Sequence, residues 1–328
     1  MRAMVLEEGA HRLQPTELPC PRPGPGEILL KVRACGVCRT DLHIVDGELV
    51  PSAWPVIPGH EVVGEVTSTG PGVARFNPGD AVGLAWLAGA CGTCDYCRRG
   101  EENLCPKAQF TGFTRFGGYA EYATARADFA YPLPRVEDPV AFAPLLCAGL
   151  IGYRTWRKAG EAQRIGLYGF GAAAHILAQV LVHEHKAVYA FTRPGDTASQ
   201  DFARRLGVEW AGGSDTAPPE ALDAALVFAP VGALVPAALR AVRPGGSVVC
   251  GGIHMSDIPG FPYRILWEER RLQSVANLTR EDGRAFLEHW QRQPIETTTR
   301  AYALDEANQA LDDLREGRIE GAAVLRIS

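Results

Sequence analysis

The segment from Arg164 to Thr192 restricts the fold more than any other stretch of this chain. An apolar run, Ile165 to Tyr168, leads into Gly169-Phe170-Gly171-Ala172-Ala173-Ala174, then into an apolar helical pattern over about Ala172 to His185 and a second apolar run, Ala187 to Phe191. Strand, turn, helix and strand in that order build parallel sheets, because parallel neighbours need a crossover and the crossover is usually a helix. Gly169 permits a tight turn, Gly171 lets backbone approach a pyrophosphate, and Ala174 is small enough for helix-on-strand packing, while the helix N-terminus supplies a positive field. Glycines are common in strand-to-helix turns, so the motif draws its force from the elements on either side. The alternation continues through Leu222 to Phe228, a turn at Arg243 to Gly246 and a strand over Ser247 to Cys250. This pattern predicts a doubly wound parallel-sheet α/β domain over residues 151–289.

Nucleotide sites for NAD carry an acid about 20 residues after the glycines to hold the ribose 2′-hydroxyl. This chain reads Phe191-Thr192-Arg193-Pro194 there. A hydroxyl and an arginine suit a 2′-phosphate, which favours NADP(H) over NAD(H). The competing reading makes Arg193 an ordinary solvated loop residue.

At 328 residues the chain is long for one hydrophobic core, and two domains are expected. The first 130 residues are rich in Gly and Pro and hold short β-branched runs at Ile28 to Val32, Val62 to Thr67 and Ala81 to Leu84, a pattern that suits an antiparallel or barrel-like β domain. Strand character returns at Thr297 to Leu304 and Ala323 to Ile327, with a helix between them capped by Asp305 and running to about Glu316. Residues 290–328 are therefore expected to rejoin the first domain, residues 1–150.

With 33 basic and 38 acidic residues interspersed, the net charge of −5 favours neither nucleic acid nor an anionic membrane as partner. The uncharged stretch Ala224 to Leu239 is interrupted by Pro230 and Pro236 and falls short of the roughly 18 residues of a membrane span. The opening MRAMVLEEGAH lacks the apolar core of a secretory signal and carries acids that transit peptides avoid, so a cytoplasmic protein is expected.

Nine cysteines in such a compartment point to metal ligation rather than disulfides. Cys91, Cys94, Cys97 and Cys105 stand at spacings of two, two and seven intervening residues, dense enough to close on one Zn²⁺ as a tetrahedral thiolate site. An iron–sulfur cluster, whose bacterial run has a different last spacing, and four free thiols are the alternatives. Cys35 and Cys38 form a C-x-x-C that reads equally as half a zinc site, a redox dithiol or two unrelated thiols.

Together with ACGVCRTDLH at 34–43, PGHEVVGEV at 58–66 and LLCAGLIGY at 145–153, the cysteine lobe and the glycine turn resemble the zinc-dependent alcohol dehydrogenases of the medium-chain dehydrogenase/reductase superfamily. The resemblance keeps the family's motif order over essentially the whole chain. It implies a GroES-like β-rich catalytic domain joined to a Rossmann coenzyme domain, and hydride transfer between an alcohol and its aldehyde or ketone, with a nicotinamide as the other partner. It further implies two Zn²⁺ per chain: a catalytic ion on Cys38, His60 and Cys147, with a fourth position for water or substrate, and a structural ion on Cys91, Cys94, Cys97 and Cys105. From spacing alone Cys147 reads as core packing within an apolar run.

By the same resemblance, Glu61 is the acid behind the catalytic metal, able to approach it during ligand exchange, and Asp41 orients the ligating histidine. Thr40 and His43 form a proton relay that runs through the cofactor ribose, and Arg39 meets the cofactor pyrophosphate. Leu49, Trp54 and Trp86 line the substrate cleft, where their bulk favours small or flat apolar alcohols and aldehydes. Ile151 departs from the threonine that related enzymes often place against the nicotinamide ring. Cys35 becomes a small buried residue rather than half of a functional pair.

A homodimer or homotetramer is expected, since related enzymes join their nucleotide domains edge to edge. Two other functions fit the same motifs: a non-catalytic zinc- and NADP(H)-binding sensor, and a quinone reductase. The relay pair argues against the first, and the zinc ligands argue against the second. His11, His175, His183, His185, His254 and His289 read as structural or exposed, because His183 and His185 point different ways on a helix and the others lack ligand-type neighbours.

Overall fold

The computed structural model describes residues 1–327. Its two main sheets use β1 (Glu27–Val37), β2 (Glu61–Thr69), β3 (Ala81–Leu84), β4 (Tyr122–Arg126), β5 (Tyr131–Pro132), β6 (Arg164–Tyr168), β7 (Ala187–Thr192), β8 (Trp210–Gly213), β9 (Leu222–Val227), β10 (Val242–Cys250), β11 (Arg271–Ser274), β12 (Thr299–Ala303) and β13 (Ala322–Arg326). The helices that matter below are α1 (Arg39–Val45), α2 (Ala148–Ala159), α3 (Ala172–His183), α4 (Arg280–Arg292) and α5 (Ala307–Arg315).

The chain divides into two compact units, the first made of Met1–Cys147, Thr279–Arg284 and Glu296–Ser328. Its seven-stranded sheet has the order β12-β13-β1-β2-β3-β5, with β4 also paired to β1. Only the β12–β13 pair is parallel. The long β1 is the hub: Ile28, Leu30, Val32, Cys35 and Val37 are all buried in the core. Register shifts at Leu29/Leu30 and Val32/Ala34 bend it, as bulges do, so that one strand can pair with β2, β4 and β13. The β13 strand pairs with the far end of β1, Ala323 opposite Val37, which brings the chain's last strand beside the segment that starts α1.

The second unit, Ala148–Leu278 and Ala285–Ile295, is built on a six-stranded sheet of order β8-β7-β6-β9-β10-β11 with every pair parallel. Strands covered on both faces need not alternate, which explains why Leu222 and Ala224 to Val227 are all fully buried. The order reverses at β6, which lies between β7 and β9, and the crevice at the carboxyl end of such a strand is where open α/β sheets bind ligands. Gly169 to Ala174 occupies that position.

Several local expectations need correction. The α3 helix stops at His183, two residues early, because His185 adopts a left-handed conformation (φ 55°) that ends helical pairing. The predicted Arg243–Gly246 turn is taken up inside β10 as an irregularity: Val242 pairs with Leu222 and pairing resumes at Ser247 opposite Ala224. Asp305 does not cap a helix. It lies in a 3-10 turn, Leu304–Glu306, where the Glu306 carboxylate accepts the Ala303 N–H at 2.7 Å, and α5 begins only at Ala307. Among the described residues no helix is long and apolar enough to cross a membrane.

Candidate functional site

Cys38 is the residue at which β1 gives way to α1. Its thiol accepts the Thr40 N–H at 3.3 Å, and its own N–H is held by the Asp41 carboxylate at 2.9 Å, a reciprocal cap in which sulfur replaces the usual hydroxyl. Asp41 is fully buried. Its second oxygen accepts the Gly59 N–H at 3.0 Å and lies 3.4 Å from His60 Nδ1, off-axis enough that this nitrogen lacks a well-formed hydrogen bond. One carboxylate thus ties the start of α1 to the turn that begins β2.

His60 and Glu61, 1% and 2% exposed, stand where that turn enters the sheet. Two glycines allow the packing around them, Gly36 beside Glu61 and Gly59 beside Tyr119. A Cβ on Gly36 would lie 1.7 Å from Glu61 Oε2, and Gly59, at φ 97°, would drive a Cβ to 2.3 Å from the Tyr119 ring. Cys147 arrives at the end of a short 3-10 turn, Ala143–Leu146. Donor atoms of Cys38, His60, Glu61 and Cys147 all lie within 4.8 Å of one another, with Cys38 Sγ 3.1 Å from His60 Nε2. The Cys147 that spacing alone assigned to core packing is therefore part of the cluster.

The electrostatics follow from crowding donors where water cannot reach. The hydrogen bond from Cys147 holds the Cys38 thiol well below its usual pKa, with His60 assisting against burial. The same bond, then burial, pushes Cys147 up. Burial would lower His60, yet the neighbouring charges of Cys38 and Asp41 outweigh it and raise the imidazole. Burial, reinforced by Cys38, lifts Glu61 well above the carboxylate range. Donors this close compete for protons, and a divalent cation is the usual replacement for those protons. Cys35, fully buried, has its thiol pushed up mainly by desolvation and takes no part in the cluster.

The second cluster comes from a single segment. Cys91 Sγ accepts the N–H groups of Thr93 and Cys94 at 3.5 and 3.3 Å, and Cys105 Sγ accepts those of Cys91 and Lys107, both at 3.4 Å. The sulfur of Cys97 lies 3.9 Å from that of Cys91 and 3.5 Å from that of Cys94. A tetrahedron with Zn–S bonds near 2.3 Å has sulfur–sulfur edges of about 3.8 Å. The donated N–H groups pull the Cys91 thiol down to about 5, favouring the thiolate that a metal requires.

Around the first cluster, Thr40 is buried, while Arg39, one position earlier on α1, is exposed. His43 lies one helical turn beyond Thr40 with its Nδ1 against the Glu48 carboxylate. Leu49, Trp54 and Trp86 are half-buried and pack on the core of the first unit. Trp86 also meets the His60 ring edge-on, 5.0 Å between centroids at 78°.

In the second unit Gly169, at φ 90°, has no room for a side chain: a Cβ would lie 2.7 Å from the Ala229 Cβ. Gly171, the N-cap of α3, is different, since its φ of −102° suits any residue and a Cβ there would meet no atom within 4 Å. Ala174 is fully buried. The Thr192 hydroxyl is engaged within the protein, donating to the Arg193 carbonyl at 3.0 Å and accepting from Gln200 Nε2 at 3.1 Å, whereas Arg193 is exposed with no ion pair among the described residues. Ile151 is half-buried on α2.

Sequence reasoning missed two groupings. His289 does have ligand-type neighbours: Glu184 lies 3.1 Å from its Nδ1, and the His183 ring stacks at 5.9 Å. Phe110 and Phe113 stack on Trp86, and their only signal in the sequence is an aromatic pair three residues apart.

A family model described as the alcohol dehydrogenase GroES-like domain matches residues 24–135. The protein named "Probable alcohol dehydrogenase AdhA" of Mycobacterium tuberculosis (strain CDC 1551 / Oshkosh) is 48% identical over 315 residues, covering 94% of this chain and 90% of that relative. Among solved structures, acetophenone reductase from Geotrichum candidum in complex with NAD is 26% identical with a TM-score of 0.88, covering 99% of this chain and 96% of that one. A cobalt- and zinc-bound thermostable alcohol dehydrogenase from Pyrobaculum aerophilum is 25% identical with a TM-score of 0.89, covering 99% of each chain. The GroES-like unit, the Rossmann unit and these matches over nearly full length have one consequence: the chain belongs to the zinc-dependent alcohol dehydrogenases of the medium-chain dehydrogenase/reductase superfamily.

Proposed function

We propose that the first unit is the catalytic domain, holding a catalytic zinc on Cys38, His60 and Cys147 and a structural zinc on Cys91, Cys94, Cys97 and Cys105, while the second binds the nicotinamide cofactor. The observation that carries this reading is the convergence of two thiols, an imidazole and a carboxylate in one buried cluster, within the same unit as a cluster made only of thiols. Four thiolates close a tetrahedron, whereas two thiolates and an imidazole leave a position for substrate oxygen.

When bound there, zinc supplies Lewis acidity, drawing charge from the substrate oxygen so that an alcohol loses its proton near neutral pH. The chain's own residues do the rest. The Asp41 carboxylate, 3.4 Å from His60 Nδ1, favours the ring orientation that turns Nε2 toward Cys38. Thr40 Oγ1 accepts the alcohol proton as it gives up its own, and His43, at the far end of the relay, passes a proton to water beside the exposed Glu48. In aldehyde or ketone reduction the same groups return it. Glu61, its carboxyl raised by burial, stands within the cluster where it can exchange with a ligand. Leu49, Trp54 and Trp86 form the apolar wall that selects small or flat alcohols and aldehydes.

The open Cβ direction at Gly171, with the N-terminus of α3 behind it, fits a pyrophosphate. The free Arg193 supports NADP(H) over NAD(H). Thr192 enters this choice only by shaping the loop, since its hydroxyl is engaged internally. A cytoplasmic homodimer or homotetramer completes the reading. Tyr263 and Trp267, 66% and 59% exposed, lie just ahead of the edge strand β11, and exposed aromatics at a sheet edge suit a second copy.

Metal analysis with a single variant tests the core of the proposal. Wild type should carry about two zinc ions per chain, and Cys38→Ser about one, with turnover lost and circular dichroism unchanged. One ion in wild type, or retained turnover in Cys38→Ser, would refute the catalytic assignment.

A further inference from the structure

Trp86 is held from two directions. His60 meets it edge-on, while Phe110 lies 5.1 Å from the indole at 23° and Phe113 lies 5.7 Å away at 27°. The two phenyl centroids are 6.5 Å apart. Rings on opposite faces of the indole would be separated by nearly the sum of their distances to it, so both phenyls press from the same side. The backbone adds to the clamp. Leu87 pairs with Phe110, the Thr111 N–H donates to the Trp86 carbonyl at 2.9 Å, and the Thr111 hydroxyl donates to the Ala85 carbonyl at 2.7 Å. An indole normally chooses among several rotamers, and two stacked rings with both flanks tied leave it one.

We propose that Phe110 and Phe113 are positioning residues for substrate selectivity, fixing Trp86 against His60 and thereby setting how much bulk an alcohol or aldehyde can carry beside the metal centre. The inference rests on the reading of Trp86 as pocket wall. A clamped indole is a rigid flat surface, so unbranched or planar substrates fit along it and substrates branched next to the carbinol carbon collide with it. Freed from its stack, the indole can turn aside, and discrimination against branching falls.

The test compares KM and kcat for ethanol, 1-butanol, benzyl alcohol and 2-methyl-1-propanol in wild type, Phe110→Ala, Phe113→Ala, Phe110→Tyr, Phe113→Tyr and Trp86→Ala. The alanine variants should lower the ratio of KM for the branched alcohol to KM for 1-butanol about 3- to 10-fold, the worth of one aromatic contact, and leave kcat for 1-butanol within about twofold. The tyrosine variants keep the ring and should keep the wild-type ratio. Trp86→Ala should relax the ratio at least as far, and adding Phe110→Ala to it should change nothing more.

If Trp86→Ala relaxes selectivity and the phenylalanine variants do not, the clamp is wrong while the pocket reading stands. If Trp86→Ala leaves the ratio untouched, both fall. Parallel losses of kcat for every alcohol together with zinc content would mark the phenylalanines as structural only and overturn the proposal. Should an alanine variant fail to fold, Phe110→Leu and Phe113→Leu read the same ratio, since leucine fills the volume without a flat face.

Discussion

At the scale of single residues, the site depends on small side chains as much as on ligands. Gly36 is required because Glu61 occupies the space a Cβ would need, a constraint that no spacing in the sequence reveals. Residues 192 and 193, read together from the sequence as a 2′-phosphate site, separate in the structure, since Thr192 is hydrogen-bonded inward and Arg193 is free. Arg193→Ala should therefore raise KM for NADPH about 10- to 100-fold, the worth of a hydrogen bond to a charged group, with little change in KM for NADH. Thr192→Val should act on stability and leave the preference in place. Steady-state kinetics with both cofactors checks the pair, and an equal effect of Arg193→Ala on both would remove it from cofactor selection. Cys147 shows the opposite limit of reading by pattern: a lone cysteine in an apolar run carries no signal of its own, and its proximity to Cys38 exists only in the fold.

At the scale of elements, hydrophobic period and glycine punctuation made the parallel β6–α3–β7 unit legible, whereas the ends of elements depended on side chains far away in sequence. Asp223, at the start of β9, is an example. It accepts the backbone N–H groups of Gln163 and Arg164 at 3.0 and 2.8 Å and receives Arg243 Nε at 2.6 Å, so it stitches β6 to β9 and to β10. Burial would raise this carboxyl, but these bonds outweigh it and hold it at about 2. Because the folded pKa lies below the unfolded one, the stabilisation is fully present above the ordinary carboxylate range and is lost as pH falls through about 2. Asp223→Asn should cost about 2 kcal/mol at neutral pH. The gap to wild type should be the same at about pH 7 and pH 5 and shrink below about pH 4, measured by denaturant unfolding. A gap independent of pH down to the acid limit would show that shape, not charge, is what the position needs. The Asp305 cap failed for a related reason: in the sequence an acid before a helix looks like a cap, and here Asp305 lies inside a 3-10 turn while Glu306 reaches back to the Ala303 N–H.

At the scale of the whole molecule, the exposed Tyr263 and Trp267 ahead of the edge strand β11 are where the proposed assembly can be tested. Trp267→Glu should shift the particle mass from oligomer toward monomer in light scattering, with the zinc content of each chain unchanged; a wild type that is already monomeric would end the oligomer reading. What the sequence by itself determined is what local chemistry can carry: the four-thiol lobe, closed within fifteen consecutive residues, the glycine turn between an apolar strand and an apolar helix, and two textures of chain that fold as two units. What only the tertiary structure decided are the relations between distant segments. These are the meeting of Cys38, His60 and Cys147, the buried Asp41 that joins α1 to β2, the return of β13 to β1, and the aromatic clamp on Trp86. The physical reason is that periodicity and turn chemistry act over a few residues, while a metal cluster or a buried carboxylate is made where chain closure and core packing bring remote backbone together, and neither leaves a repeating trace in the sequence.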